Sequence, residues 1–294
     1  MKKKALRRPA EFYIRESRQK FWNGASRRQE DFPRKMKKLG IVLGAGGMRG
    51  VAQVGFLKAL YENGMKPDCV AGASSGALIG AAIAAGMEPE YIFGELRKLK
   101  VYNILASFPN LLGAGIFSTK RIHRRLERYL GKKTISELDL PFCCVATELE
   151  KGELKVFDGD TEAVSAVMAS CCIPAIFKPE VIDGVQYVDG GLLSRLPIDP
   201  IRRFEPEVVI AVDTGYVSTK KKNFRNFVGV LWQMYEIMSS DGAEERIRKQ
   251  APDLIICPKI EDMTLYNMHE MDYAYSKGYE AGIENIERIK ELLR

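Results

Sequence analysis

A short glycine-bounded segment carries the residue best placed for nucleophilic chemistry. Residues 72–76 read Gly-Ala-Ser-Ser-Gly, a G-x-S-x-G pattern bounded by Gly72 and Gly76. This pattern is typical of a sharp turn between a strand and a helix, with the serine hydroxyl exposed at the turn. Because the N-terminus of a helix stabilises negative charge, Ser74 is the candidate nucleophile. Ser75 is the neighbouring alternative, one position off the centre of the pattern.

A second glycine-rich loop could hold an oxyanion. Residues 44–50 read Gly-Ala-Gly-Gly-Met-Arg-Gly and follow an apolar run over residues 39–43. Gly46 and Gly47 can expose their amides without a Cβ in the way, as an oxyanion hole requires. Nucleotide binding is the rival hypothesis for this loop. It is disfavoured because Arg49 stands where the dinucleotide pattern needs its last glycine, and no Gly-Lys-Ser/Thr follows.

A serine nucleophile also needs a proton acceptor. Asp189 follows a short strand and precedes Gly190 and Gly191, and in a water-poor pocket its carboxylate could accept the serine proton. The chain has two histidines. We expect His123 to lie on the solvated face of a basic helix. His269 would complete a triad in the usual hydrolase order after the serine and the aspartate, and it remains the alternative base.

Strand and helix patterns alternate along the chain. Alternation of this kind indicates an α/β sandwich with a largely parallel sheet. We predict strands over residues 39–43, 69–71, 141–147, 153–157, 185–188, 208–212 and 254–257. We predict helices over residues 47–62, 75–85, 87–100, 119–130, 224–250 and 273–293, and another that begins near residue 161 and stops near residue 174.

The charge is concentrated at the N-terminus. The net charge is +7, yet residues 1–38 alone hold fourteen Lys and Arg against four Asp and Glu. We therefore expect a basic N-terminal arm over residues 1–38, partly helical or disordered, and no nucleic-acid binding by the remainder. The two least charged windows, 69–87 and 101–119, are broken by small or turn-forming residues and are not predicted to span a membrane. The six cysteines lack C-x-x-C spacing, which predicts no metal site and a reducing compartment.

Taken together, these motifs resemble the patatin-like phospholipase family. The likeness runs from about Leu39 to Asp213 and rests on the glycine loop, the serine turn and the Asp-Gly-Gly at 189–191. Segments 145–148 and 169–174 add to it. The resemblance implies a three-layer α/β/α sandwich, no cofactor, and a Ser–Asp dyad without histidine, here Ser74 and Asp189. It also implies an oxyanion hole from the amides of Gly46, Gly47 and Met48, with the motifs supported by Gly44, Arg49, Gly50, Gly72, Gly76, Gly190 and Gly191.

The sequence departs from the family pattern at two places. Ala45 occupies a loop position that is usually glycine, which leaves the amide donors intact. Ser194-Arg195-Leu196-Pro197 replaces the usual Asn-x-Pro after the Asp-Gly-Gly and changes how that turn is braced.

We therefore expect a serine acylhydrolase domain over residues 39–294. It would cleave lipid acyl esters through an acyl-enzyme, as a phospholipase A, lysophospholipase or esterase does. A non-catalytic lipid-binding protein is the alternative from another functional class. The uncharged stretch 104–117 is a candidate cap over an acyl groove. We expect a cytoplasmic protein in peripheral contact with anionic lipid at the inner membrane face through residues 1–38. The sequence makes no prediction of oligomeric state.

Overall fold

The core of the fold is a mixed sheet. The computed structural model describes residues 36–98, 120–174, 176–215, 227–240, 242–260 and 270–294. The described strands are β1 (Leu39–Leu43), β2 (Cys69–Ala73), β3 (Phe142–Glu148), β4 (Glu153–Phe157), β5 (Glu180–Ile182), β6 (Val185–Asp189), β7 (Val208–Val212) and β8 (Leu254–Ile256).

The strands at the centre of the sheet are parallel. Hydrogen-bonded neighbours follow the path β5-β6-β3-β2-β1-β7-β8. Strands β2 and β6 pair with successive parts of one edge of β3, at residues 142–145 and 146–148, and β4 pairs with residues 144–148 along the other edge. Strands β3, β2, β1, β7 and β8 run parallel to their neighbours in that order. Strands β4, β5 and β6 pair antiparallel. The predicted, largely parallel sheet is confirmed.

Helices surround this sheet. They are α1 (Val51–Glu62), α2 (Ser75–Ala84), α3 (Pro89–Lys98), α4 (Lys120–Leu130), α5 (Ala163–Cys171), α6 (Ile198–Ile201), α7 (Phe227–Ser240), α8 (Ala243–Gln250) and α9 (Met271–Leu293). Short 3-10 turns occupy Gly47–Gly50, Ile135–Glu137, Gly190–Leu192 and Arg202–Phe204.

The two faces of the sheet bury separate apolar clusters. Along β1, Leu39, Ile41 and Leu43 join the larger cluster, with apolar residues of α1, α2, α5 and α9. Val42 points to the opposite face and packs with residues of α6 and with Ile247 of α8. Because successive side chains of a strand point to opposite faces, helices cover both sides of the sheet. The α/β/α sandwich is confirmed.

One helix predicted as a single element is wrong, because the structure divides it into two helices. The expected helix over residues 224–250 is two helices in the described residues, α7 and α8. The break includes Gly242, whose φ of +61° belongs to the left-handed region that glycine adopts without strain. The turn-forming residues Ser239-Ser240-Asp241-Gly242 were the sequence signal for this break.

Several predictions concern residues outside the described part of the chain. They are the arm over residues 1–35, the candidate cap at 104–117, and His269. The six cysteines are free thiols; Cys257 is exposed and Cys171 is partly exposed, while the others are buried. Among the described residues, no helix is both long and apolar enough to cross a membrane.

Candidate active site

Ser74 occupies a strained turn between β2 and α2. Its φ of 52° and ψ of −121° lie in a region that residues with a side chain rarely adopt. The strand ends at Ala73 and the helix begins at Ser75, so Ser74 is the N-cap residue of α2, and its carbonyl accepts the Ala77 amide at 2.9 Å. This is the strand-turn-helix setting that the G-x-S-x-G pattern predicts.

The turn requires a close approach of α2 to the end of β1. A Cβ on Gly76 would lie 2.0 Å from the carbonyl oxygen of Leu43. No side chain fits that gap without moving backbone, so the second glycine of the pattern is a packing requirement. The approach fixes α2, and with it Ser74, against the glycine loop that follows β1.

Ser74 and Asp189 meet because two strands end on the same edge of β3. In the first half of that edge Ala73 pairs with Val145. Strand β6 takes over at the next residue, where Ala146 pairs with Asp189. One strand is parallel to β3 and the other antiparallel, so their C-terminal ends face each other. The Ser74 hydroxyl donates a hydrogen bond to Asp189 Oδ2 at 2.6 Å.

The Asp189 carboxyl is fully buried and accepts three hydrogen bonds from described residues. Its second oxygen, Oδ1, accepts the Gly191 amide at 2.8 Å and the Tyr235 hydroxyl at 2.8 Å. Burial raises the pKa of Asp189 from 3.8 to about 6, against the lowering effect of the bonds from Ser74, Gly191 and Tyr235. The group is therefore mostly ionised at neutral pH, and it is a stronger base than an exposed aspartate.

Three contacts made by residues of or next to α5 hold this pair in place. The Ser74 amide donates to Ser170 Oγ at 2.9 Å, and the Cys171 thiol donates to the Ser74 carbonyl at 3.2 Å. The Asp189 amide donates to the Cys172 carbonyl at 2.8 Å. Segment 169–174 entered the sequence analysis only through the family resemblance; the structure shows that it contacts both members of the pair.

The glycine loop places amide donors beside Ser74. Gly46 and Gly47 line the same pocket as the serine. Gly47 has a φ of +56°, a left-handed conformation that turns the loop back on itself. The amides of Gly46, Gly47 and Met48 make no hydrogen bond to any residue that the structure describes. Gly46 and Gly47 line the pocket and Met48 does not; the Met48 side chain packs against the cluster around Val51.

Helix α7 supplies residues that the sequence analysis missed. Besides Tyr235, it carries Glu236, whose carboxylate pairs with the buried guanidinium of Arg49. The Arg49 Nε–H also donates to the Gly46 carbonyl at 3.4 Å, which ties the ion pair to the glycine loop. Local sequence gave no signal for these contacts, because Tyr235 lies 46 residues from Asp189 and Glu236 lies 187 residues from Arg49.

Arg195, where the family pattern is broken, also faces the pocket. It pairs with Asp213 at 2.7 Å and donates to Ser240 Oγ at 3.2 Å. Its Nε atom is buried and has no partner among the described residues. The pocket is lined by Ala45, Gly46, Gly47, Arg49, Ser74, Arg195, Gly215, Tyr235, Glu236, Ser239 and Ser240.

The structure keeps His123 away from this pocket. It lies on α4, where its Nδ1 is 3.5 Å from Glu127 Oε1 and its Nε2 is 4.0 Å from Glu180 Oε1. Such polar contacts are expected for a residue on a polar helix. His269 is outside the described residues. In the described part of the chain, no cluster of three or more His, Cys, Asp or Glu side chains could hold a metal ion.

Comparisons with known proteins agree with this architecture. A relative from Mycobacterium bovis, an uncharacterised protein of the NTE family, is 34% identical over 178 residues, which are 60% of this chain and 48% of the relative. The lysophospholipase nte1 of Neurospora crassa is 25% identical over 285 residues, covering 87% of this chain and 18% of the fungal protein. This chain therefore spans about half of the first relative and a smaller part of the second.

A solved structure and a family model complete the comparison. VipD from Legionella pneumophila has a TM-score of 0.50 at 15% identity, over 86% of this chain and 67% of VipD. That likeness concerns the fold. The model of the patatin-like phospholipase family matches residues 41–202, which include the glycine loop, the serine turn and the Asp-Gly-Gly. Since the match covers more than half of the chain, this protein belongs to the patatin-like phospholipase family.

Proposed function

We propose that the protein is a serine acylhydrolase that cleaves lipid acyl esters with a Ser74–Asp189 dyad. The observation that carries the proposal is the 2.6 Å hydrogen bond from the Ser74 hydroxyl to the buried Asp189 carboxylate. The pair lies beside glycine-loop amides that have no other partner among the described residues. A nucleophile, a base and an anion site are the parts that acyl transfer needs.

The first half of the reaction forms an acyl-enzyme. Asp189 accepts the hydroxyl proton as the Ser74 oxygen attacks the ester carbonyl carbon. The tetrahedral oxyanion is held by the amides of Gly46, Gly47 and Met48, where loss of one such donor costs roughly 10²–10³ in rate. Collapse breaks the ester C–O bond. The leaving alcohol takes the proton from Asp189, and the acyl group stays on Ser74.

The second half returns the enzyme to its starting state. Water attacks the acyl carbonyl while Asp189 accepts one of its protons. The second tetrahedral oxyanion occupies the same amide site, and its collapse expels the Ser74 oxygen, which takes the proton back from Asp189. The products are a carboxylic acid and the free serine. No histidine takes part in this scheme, and the pKa of about 6 for Asp189 suits a carboxylate that must both accept and release a proton.

An apolar cavity near the serine supports a lipid substrate. It lies between α2, α3 and α4, and α2 contributes Leu78 and Ala82 to its wall. Helix α2 begins immediately after Ser74, so Leu78 lies about one turn from the nucleophile. Its lining is apolar apart from Glu95, Arg125 and Tyr129, and a mostly apolar lining suits an apolar ligand such as an acyl chain.

The family and the relatives support the same substrate class. Patatin-like phospholipases and a fungal lysophospholipase are what this chain is similar to. We further propose that it acts from the cytoplasm on lipids of the inner membrane face, to which the basic residues 1–38 bind peripherally. The free thiols agree with a reducing compartment.

Substitution of two adjacent serines tests the proposal. Ser74→Ala removes the nucleophile and should lower hydrolysis of a short acyl ester by at least about 10³-fold. Ser75→Ala is the matched control, because the buried Ser75 Oγ has no hydrogen-bond partner among the described residues. It should hydrolyse the ester within about twofold of the wild-type rate. Wild-type activity in Ser74→Ala would refute the assignment.

A further inference from the structure

Helix α7 has two faces with different surroundings. One face builds the proposed active site: Tyr235 donates to Asp189, Glu236 pairs with Arg49, and Ser239 lines the pocket. Four large apolar side chains elsewhere on the helix are exposed: Val230 by 43%, Met234 by 51%, Ile237 by 55% and Met238 by 54%.

These four side chains form a single stripe. At about 100° per residue, they fall within an arc of about 100° on the helix, and the pocket-facing residues are centred about 160° away. The only charged residue of α7 is Glu236, which is buried in its ion pair. The stripe is therefore apolar and faces solvent. We call Val230, Met234, Ile237 and Met238 the α7 stripe.

The clustering is unusual for the described surface. Twelve large apolar residues are exposed in the described part of the chain, and four of them lie on this one helix of fourteen residues. Single exposed apolar side chains are ordinary in a water-soluble surface, whereas a contiguous group marks a surface that contacts another apolar phase.

The sequence that immediately precedes α7 indicates which phase this is. From Thr214 to Tyr235 the sequence has Lys220, Lys221, Lys222 and Arg225 and no acidic residue. A basic run beside an apolar helical face is the pattern of helices that lie in the plane of an anionic membrane. A second copy of the chain fits less well. The stripe consists of four side chains, whereas each partner of a stable dimer buries about 800 Å² over roughly 20–30 residues.

We propose that the α7 stripe docks the protein on an anionic phospholipid bilayer, with its side chains in the boundary between headgroups and acyl chains. The opposite face of the same helix forms a wall of the pocket, so docking places the pocket directly behind the helix that contacts the lipid. That the docked lipid is also the substrate rests on the proposed function; the docking itself does not.

A vesicle-binding experiment on the full chain tests this surface. The double variant Met234→Glu/Ile237→Glu places two charges in the stripe. Ile283→Glu is the matched control, because this residue of α9 is 45% exposed but lies outside α7. Each protein is sedimented with vesicles of phosphatidylcholine and phosphatidylglycerol at low and at high salt. High salt weakens the electrostatic contribution of the basic arm and leaves apolar insertion.

The stripe variant should partition onto vesicles at least about tenfold more weakly than wild type at both salt concentrations, because binding scales with buried apolar area. The control should partition as wild type does. Thermal unfolding midpoints that match wild type show that both variants are folded. Wild-type partitioning of the double variant overturns the proposal. The proposal is also overturned if light scattering shows that wild type is a dimer and the double variant a monomer, while both bind vesicles equally.

Failure of docking and failure of the proposed function are distinguishable. Ser74→Ala should sediment with vesicles as wild type does, since Ser74 is 5% exposed and lies outside the stripe. If Ser74→Ala still hydrolyses a water-soluble ester, the catalytic proposal is wrong and the docking proposal stands. If the stripe variant hydrolyses the soluble ester but binds vesicles normally, the docking proposal alone is wrong.

Discussion

At the scale of single residues, Asp189 is the group whose chemistry the fold changes most. An exposed aspartate is a weak base near pH 7, but burial raises the pKa of this carboxyl to about 6. The hydrogen bonds from Ser74, Gly191 and Tyr235 stabilise the charged form of this fully buried carboxyl. The same burial that makes the carboxylate a better proton acceptor makes its ionisation costly to the folded state.

The pH dependence of the reaction should follow this carboxyl. For a water-soluble ester, kcat/KM should rise as the pH increases through about 6 and level off above it, because the base must be ionised. Tyr235→Phe removes a bond that lowers the Asp189 pKa, so the rising limb should move to higher pH. The pH–rate profiles of both proteins test this. An unshifted limb in Tyr235→Phe would contradict it, and this comparison matters because a histidine also titrates near pH 6.5.

Stability should depend on the same group with a defined sign. The folded pKa of Asp189 lies above its unfolded value of 3.8, so between these values the folded chain binds more protons. The free energy of unfolding of wild type therefore decreases as the pH rises through that interval. At 1.36 kcal/mol per pKa unit, the loss approaches about 3 kcal/mol above pH 6.

Asp189→Asn isolates this effect, because an amide cannot ionise. The free energy of unfolding of the variant minus that of wild type should increase by up to about 3 kcal/mol between roughly pH 4 and pH 7. Urea unfolding at the two pH values measures the difference, and other titrating groups cancel in it. A difference that stays constant or decreases with pH would show that the carboxyl is not held in a site that raises its pKa.

The sequence predicted some of these residues and missed others for a physical reason. Ser74 and Asp189 lie in short local patterns, in which glycines accompany the reactive residue. Tyr235 and Ser170 act through contacts with residues 46 and 96 positions away in the chain. Contacts of this kind depend on how whole elements pack, and nothing in the neighbouring sequence indicates them.

At the scale of elements, the edge of β3 explains why the proposed dyad forms. Along β3, the last residue of β2 pairs with Val145 and the last residue of β6 pairs with Ala146, so the C-terminal ends of the two strands face each other. The approach of α2 to β1 then fixes the serine turn relative to the glycine loop. The pairing and the approach are set by backbone geometry, so glycine substitutions are the sharpest probe of them.

Two glycines in different helices give a matched pair of variants. Gly76→Ala would place a Cβ 2.0 Å from the Leu43 carbonyl, so α2 must shift and ester hydrolysis should fall by at least about tenfold. A Cβ on Gly94, within α3, would meet nothing within 4 Å. Gly94→Ala should leave activity unchanged and raise the free energy of unfolding by up to about 1 kcal/mol, since alanine favours a helix.

Activity assays and urea unfolding of the two variants test this reasoning. Equal behaviour of Gly76→Ala and Gly94→Ala would contradict the close approach of α2 to β1.

Helix α7 is tied to the glycine loop through one buried ion pair. The Arg49 and Glu236 side chains are 6% and 8% exposed, so removal of one partner leaves the other charge buried. Arg49→Met should lower the free energy of unfolding by about 3–5 kcal/mol. The double variant Arg49→Met/Glu236→Leu should recover most of that loss, because it buries no unpaired charge.

Urea unfolding of the two single variants and the double variant measures the coupling between the side chains. Strictly additive losses in the double variant would mean that the two side chains do not interact.

The sequence predicted most elements, and where it erred the reason is local. Predicted strands and helices depended on hydrophobic periodicity, which extends across the break between α7 and α8. The turn chemistry at Ser239–Gly242 outweighs that periodicity in the structure. The division of the β3 edge between β2 and β6 could not be predicted, because strand register depends on long-range pairing rather than on either strand alone.

At the scale of the whole molecule, one helix links the proposed catalytic site to the proposed membrane surface. Helix α7 contributes hydrogen bonds and an ion pair on one face and the α7 stripe on the other. The alternation of strands and helices was sufficient to predict the layers of the sandwich, because parallel strands need crossover helices that cover both faces of the sheet. The two faces of α7 could not be assigned from sequence, since both carry apolar residues.

The measurement that tests the central claim most directly is the site of covalent labelling by a fluorophosphonate, located by mass spectrometry of peptides. We predict a single adduct on Ser74, formed at wild-type rate in Ser75→Ala and His269→Ala, absent in Ser74→Ala, and strongly slowed in Asp189→Asn. An adduct on another residue, or labelling that depends on His269 and not on Asp189, would contradict the Ser74–Asp189 dyad.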